Sequence, residues 1–137
     1  MNIYLDIDGT IKGTLASQKD IIQFIEYCLD NHQVHWLTTH CRNGCNRTYE
    51  VLDFLPDSLR KRTFEIKETD WNALKTDAID FNGGGKFLWF DDVILLAELD
   101  VLLMNNADRG FYKIEADNPH CLQEALEYLK MYEQEED

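Results

Sequence analysis

Residues 3–10 read Ile-Tyr-Leu-Asp-Ile-Asp-Gly-Thr, a short apolar run that delivers two carboxylates, Asp6 and Asp8, into a glycine turn. Side chains alternate along a strand, so Asp6 and Asp8 are expected on one side and Ile7 on the other. Two acids in one small space repel, and such a pair favours a bound cation or a shared proton. The plain structural alternative is a strand end with a solvated Asx turn, because short Asp-x-Asp strings arise readily by chance. An EF-hand is excluded, since the glycine and the later acids fall at the wrong spacing. The stretch points to phosphoryl-transfer chemistry, and the remaining chain has to supply the other groups.

Further strands and helices follow in alternation. Ser17 with Asp20 predicts a helix start, continued by Ile21, Phe24, Ile25 and Cys28 at helical spacing. Val34 to Leu37 predicts a strand ending at Thr38 and Thr39. A second helix is expected over Asn43 to Leu55, with Cys45, Tyr49 and Leu52 on one side and Pro56 closing it. Thr63 to Ile66 reads as a third strand, and Leu74 to Phe81 as a helix stopped by Gly83, Gly84 and Gly85. Phe87, Leu88, Trp89 and Phe90 form an unbroken apolar run ending at Asp91 and Asp92, the pattern of a strand covered on both faces. Asp100 to Met104 reads as a fifth strand, and Asn118 with Pro119 opens a last helix through Leu122, Ala125, Leu126 and Leu129.

This alternation implies an α/β fold: a Rossmann-like three-layer α/β/α sandwich around a mainly parallel sheet, in one domain over residues 1–137. In such sheets ligands sit at the carboxyl ends of the strands. Three predicted strands end in polar residues there: Asp6 with Asp8, Thr38 with Thr39, and Asp91 with Asp92. Right-handed crossovers bring all three ends to one edge.

Composition narrows the class. At 137 residues and 45% hydrophobic content the chain can bury a core without disulfides or structural metal. No signal peptide or membrane-length apolar stretch is apparent, so a cytoplasmic location is expected and a membrane partner is not. Cys28, Cys41, Cys45 and Cys121 lack metal-type spacing and read as reduced core thiols. The formal net charge of −13 argues against strong binding along a nucleic-acid backbone, although not against action at a nucleic-acid end. Glu133 to Asp137 reads as a solvated acidic tail.

Four carboxylates at one edge would repel a phosphate ester unless a hard cation such as Mg2+ lies between them. With that ion, Asp6 can act as carboxylate nucleophile and form an aspartyl-phosphate. Asp8 can protonate the leaving oxygen and later deprotonate water. Thr38 can donate its hydroxyl to a phosphoryl oxygen, and a lysine should offset developing charge. Lys86 is excluded, since it precedes Asp91 by five residues and so stands roughly 15 Å away at the opposite edge. Lys75, at the start of the crossover helix leading into that strand, is the choice, with Lys67 in reserve.

These residues together resemble the haloacid dehalogenase (HAD) superfamily of Mg2+-dependent phosphatases and phosphotransferases over nearly the whole chain. Asp6-Ile7-Asp8-Gly9-Thr10 resembles its first motif, Leu37-Thr38 its second, Lys75 its third and Trp89-Phe90-Asp91-Asp92 its fourth. The resemblance implies Asp6 as nucleophile, Asp8 as acid and base, and Thr38 and Lys75 as phosphate contacts. It implies Asp6, the Asp8 carbonyl and Asp91 as metal ligands, with Asp92 supporting. The string Trp36-Leu37-Thr38-Thr39 followed by Asn46-Arg47 is similar to small bacterial and phage-type members, some linked with nucleic-acid repair proteins.

The connections are too short for the usual cap insertions, so an open site is expected. It suits a large phosphorylated substrate, a nucleic-acid end or phosphoprotein, or a metabolite under a lid supplied by a partner. A non-catalytic domain binding a phosphorylated partner is the other reading. A receiver domain is disfavoured by order, since Lys75 precedes Asp91 and Asp92. Arg42 and Arg47 read as solvated helix positions with phosphate contact as the alternative. Arg60, Lys61 and Arg62 read as solvated, Trp36 and Trp89 as core, and His40 as incidental. Trp71 is the one aromatic expected near substrate.

Overall fold

Phe87–Asp91 forms β4, five consecutive buried residues, in the computed structural model, which describes residues 1–45, 47–83 and 85–135. Asn46, Gly84, Glu136 and Asp137 lie outside the described residues, and with them parts of the Asn46-Arg47 string, the glycine run and the acidic tail. The other strands are β1 (Asn2–Leu5), β2 (Gln33–Trp36), β3 (Lys67–Glu68) and β5 (Phe111–Lys113). All pairings are parallel, in the order β3-β2-β1-β4-β5. The chain moves outward from β1 through β2 to β3, then crosses back to β4 beside β1. The carboxyl ends of β1 and β4 therefore frame the topological switch point, where open α/β sheets hold their ligands.

Helices cover both faces, giving the Rossmann-like three-layer α/β architecture. On one side α1 (Gln18–Asn31) packs against α4 (Cys121–Glu133), and Tyr27 Oη donates to Glu133 Oε2 at 2.8 Å. Ser17 caps α1 as its sequence predicts, its Oγ accepting the Asp20 N–H at 3.1 Å. Arg62, at the end of α2 (Asp57–Arg62), pairs with Asp30 of α1 at 2.9 Å. α3 (Leu96–Met104) packs against the short turns at Lys75–Ala78 and Asp108–Gly110. The core contains Trp36, Trp89, Phe24, Phe90, Leu5 and Leu88, all nearly or fully inaccessible. Each such side chain contributes about 1.5–3 kcal/mol of burial. Among the described residues no cap is evident: β1 and β2 are joined through a turn and α1, and β2 and β3 through turns and α2. No helix among the described residues is long and apolar enough to cross a membrane.

Four predicted elements differ from those observed. The helix expected over Asn43 to Leu55 is replaced by turns, because Asn43 (φ 57°) and Gly44 (φ 72°) are both left-handed and break a right-handed helix. Pro56 does not close that helix; it precedes α2, whose first turn tolerates a missing N–H. Thr63–Glu65 is a 3-10 turn continuing from α2, so the strand expected over Thr63 to Ile66 is displaced to Lys67–Glu68.

The helix expected over Leu74 to Phe81 is only the 3-10 turn Lys75–Ala78, left by an extended Ile79. Asp80 Oδ1 then accepts the N–H groups of Asn82 and Gly83, a local bond that competes with helix continuation. The strand expected over Asp100 to Met104 is the second half of α3, and the fifth strand is Phe111–Lys113. A short apolar run does not by itself separate strand from helix. All four cysteines are free; Cys28, Cys41 and Cys121 are buried, whereas Cys45 is exposed and is not a core thiol.

Candidate functional site

Asp6 follows β1 directly, and its N–H still pairs with the Phe90 carbonyl at 3.1 Å. Asp91 ends β4, one strand away. This pairing sets the two carboxylates side by side at the switch point. Asp6, Asp91 and Asp92 each offer an oxygen such that all three lie within 4.8 Å of one another. Asp6 and Asp91 are buried and Asp92 is partly so.

Lys75 enters this group from the turn before β4. Its Nζ donates to Asp91 Oδ2 at 2.6 Å and stands 3.4 Å from Asp6 Oδ1. The structure thus brings Lys75 to the acids. Lys67 lies exposed on the edge strand β3, and Lys86 donates to the Tyr132 and Glu135 carbonyls at the end of α4. Burial pulls the Lys75 ammonium down, but the charges of Asp6 and Asp91 and its bonds to them prevail and hold it above its ordinary value.

Burial raises the Asp6 carboxyl, with Lys75 opposing. Burial and the neighbouring Asp6 charge push Asp91 up to about 6 against the pull of Lys75. Asp92 is raised by burial and by its bond to Asp91 and the charge it carries. Three crowded carboxylates served by one ammonium are under-neutralised, and all hold their protons more tightly than free carboxylates. Hard oxygen donors in this state suit a hard divalent cation, so the residues present fit one.

The backbone is shaped around these groups. Gly9 adopts φ +78°, and a Cβ there would stand 2.3 Å from Asp92 Oδ2, so the turn closes on Asp92 only because residue 9 is glycine. Ile7 is fully buried, and its carbonyl accepts from Thr10, Ile11 and Lys12. Asp91 Oδ1 accepts the N–H groups of Asp92 and Val93 at 2.8 and 3.3 Å, which fixes the carboxylate from its second oxygen.

Asp8 is placed differently. β1 ends at Leu5, so strict strand alternation does not extend to it. Its exposed carboxylate lies outside the group of three and pairs with His40 Nε2 at 2.8 Å. His40 is therefore more than an incidental loop residue. Thr38 is fully buried at the end of β2; its Oγ1 accepts the His40 N–H at 3.4 Å and its carbonyl accepts from Trp71 Nε1 at 2.9 Å.

One supporting residue carries no sequence signal strong enough to have drawn notice. Glu98 of α3 is 3% exposed; its Oε2 accepts the Lys75 backbone N–H at 2.7 Å and its Oε1 the Leu95 N–H at 3.0 Å. Glu98 thereby joins the turn carrying Lys75 to the start of α3. Leucine at the N-cap offers no side-chain acceptor, so Leu95 to Glu98 carries no capping-box pattern and the bond from Glu98 is visible only in the fold. Trp71, the one aromatic singled out as a candidate substrate contact, is largely buried, with Lys75 Nζ 6.0 Å from its ring centroid and the Arg42 guanidinium 5.2 Å from it.

No family model, curated protein or solved structure matches the chain.

Proposed function

We propose that this chain is a Mg2+-dependent phosphomonoester hydrolase of the HAD type, acting through an aspartyl-phosphate on Asp6. One observation carries the reading: Asp6, Asp91 and Asp92 converge within 4.8 Å at the switch point, with Lys75 Nζ inserted between Asp6 and Asp91. A structural salt bridge would need neither the third carboxylate nor the glycine that admits it.

Asp6, Asp91 and Asp92 would hold the Mg2+, which would offset phosphate charge as a Lewis acid toward a phosphoryl oxygen. An Asp6 oxygen attacks phosphorus, forming the aspartyl-phosphate as the bond to the leaving oxygen breaks. Asp8 gives its proton to that leaving oxygen. Asp8 then takes a proton from water as the water attacks phosphorus. The bond from phosphorus to Asp6 breaks, releasing inorganic phosphate and restoring the Asp6 carboxylate and the protonated Asp8. Lys75 compensates the negative charge that builds on the phosphoryl oxygens, and Thr38 flanks the site from β2. The exposure of Asp8 and its bond to His40 keep this acid at the open side of the site, where a leaving group would depart.

The test is phosphate release from an aryl phosphate with Mg2+ or with EDTA, comparing wild type with Asp6→Asn. Turnover that needs both Mg2+ and Asp6 is expected. Folded, Mg2+-binding protein that releases no phosphate across a broad panel would replace this reading with a phosphate-binding domain.

A further inference from the structure

We propose that Arg42 forms a second anion subsite, so that the preferred substrate carries a further phosphate or phosphodiester beside the scissile phosphate. This inference rests on the hydrolase reading for its substrate and on Arg42's own geometry for the subsite. Arg42 lies just past the turn that follows β2, at the same sheet edge as Asp6 and Asp91.

Its guanidinium is held on two sides. Nε donates to the Asn72 carbonyl at 2.7 Å, and Cζ stands 5.2 Å from the Trp71 ring centroid. Backbone contacts fix the same pair of segments: Arg42 bridges Trp71, and the Asn43 N–H donates to the Trp71 carbonyl at 2.7 Å.

That anchoring uses one of the five donors of the guanidinium. Among the described residues neither Nη makes a hydrogen bond or ion pair, although the chain carries a formal charge of −13. Arg42 is exposed, so its remaining N–H groups face solvent and are accessible to an anion. The free edge is the fork that matches a phosphate or phosphodiester in bidentate fashion, already oriented by the ring and the Nε bond.

Distance ties this fork to the reacting centre. Lys75 Nζ is 6.0 Å from the same Trp71 centroid, so the two cations are no farther apart than the two centroid distances laid end to end. A compact substrate with two anionic groups can span that interval.

The test measures binding in the Asp6→Asn protein with Mg2+, where turnover does not consume the ligand, with and without Arg42→Ala. Adenosine 5'-monophosphate is compared with adenosine 3',5'-bisphosphate and with a 5'-phosphorylated dinucleotide. At least one doubly anionic ligand should bind about tenfold more tightly than the monophosphate, the size expected for a charged hydrogen-bonded pair. Arg42→Ala should reduce that gap to within about twofold, and Arg42→Lys, which keeps charge but not the planar fork, should retain part of it.

A gap confined to the bisphosphate identifies a terminal second phosphate, and a gap confined to the dinucleotide a backbone diester. No gap with either, or a gap untouched by Arg42→Ala, would overturn the subsite. Aryl phosphate turnover by wild type reads the other proposal separately. Turnover without a gap removes only the subsite, whereas a gap without turnover removes only the hydrolase.

Discussion

Gly9 and Asp92 approach so closely that a Cβ on residue 9 would stand 2.3 Å from Asp92 Oδ2. The turn after β1 and the residue after β4 are thus fitted to each other through a missing side chain. Gly9→Ala is expected to displace the Asp92 carboxylate and also to strain a backbone at φ +78°. Urea unfolding should show a loss of roughly 1–2 kcal/mol or more. The rise in Tm on adding Mg2+ should shrink as well. Unchanged stability and an unchanged Mg2+ response would mean that the turn relaxes without disturbing the acids.

Among the described residues Lys75 is the cation that pairs with Asp6 and Asp91, and removing it leaves buried carboxylates uncompensated. Lys75→Met should cost about 3–5 kcal/mol at neutral pH in EDTA, the range for breaking a buried pair from one side. The loss should diminish at mildly acidic pH, where the acids can take up protons instead. A cost below about 1 kcal/mol in denaturant titrations at neutral pH would contradict the pairing.

Glu98→Ala should destabilise through two backbone groups rather than through charge. The Lys75 and Leu95 N–H groups both lose their acceptor. About 2 kcal/mol or more is expected in equilibrium unfolding. Glu98→Gln, which keeps one carbonyl oxygen, should fall between wild type and alanine.

The pH dependence of the metal-free protein follows from Asp91. Its carboxyl is raised in the fold to about 6 from an ordinary 3.8. Between those values the folded protein holds a proton that the unfolded chain releases. Asp91 therefore makes stability fall as pH rises through this window. The slope measured in EDTA should be shallower in Asp91→Asn. With Mg2+ present, loss of the same proton favours the cation, so the Mg2+-induced gain in Tm should grow across the window in wild type and much less in Asp91→Asn. Equal responses in the two proteins would remove Asp91 from the ligand set.

The legible parts of the fold were the elements whose local pattern is also their tertiary environment. β1 and β4 are largely buried and read as apolar runs stopped by acids, α1 announces itself by spacing and its Ser17 cap, and α4 by spacing. The edge strands did not. β3 has two residues, both exposed, and β5 has three, none fully buried, so neither carries an apolar period. The Asp100 to Met104 run was apolar enough for a strand, but Glu98 caps a helix just before it. Asn43 carries a helix-start residue type, and only its left-handed conformation rules the helix out.

Sequence alone determined that acids would stand at the ends of two central strands, because a buried apolar run must end where a carboxylate begins. It also excluded Lys86 and favoured Lys75 over Lys67, since the direction of a parallel crossover separates the two edges of the sheet; the contact of Lys75 with Asp6 and Asp91 was visible only in the fold. Only the tertiary structure decided which groups touch. Strand order set Asp6 beside Asp91, the Gly9 turn admitted Asp92, and the end of β1 at Leu5 released Asp8 toward His40. Those contacts join residues up to 85 positions apart, from Asp6 to Asp91. A local pattern carries no register between such distant segments; the packing of β1 against β4 supplies it.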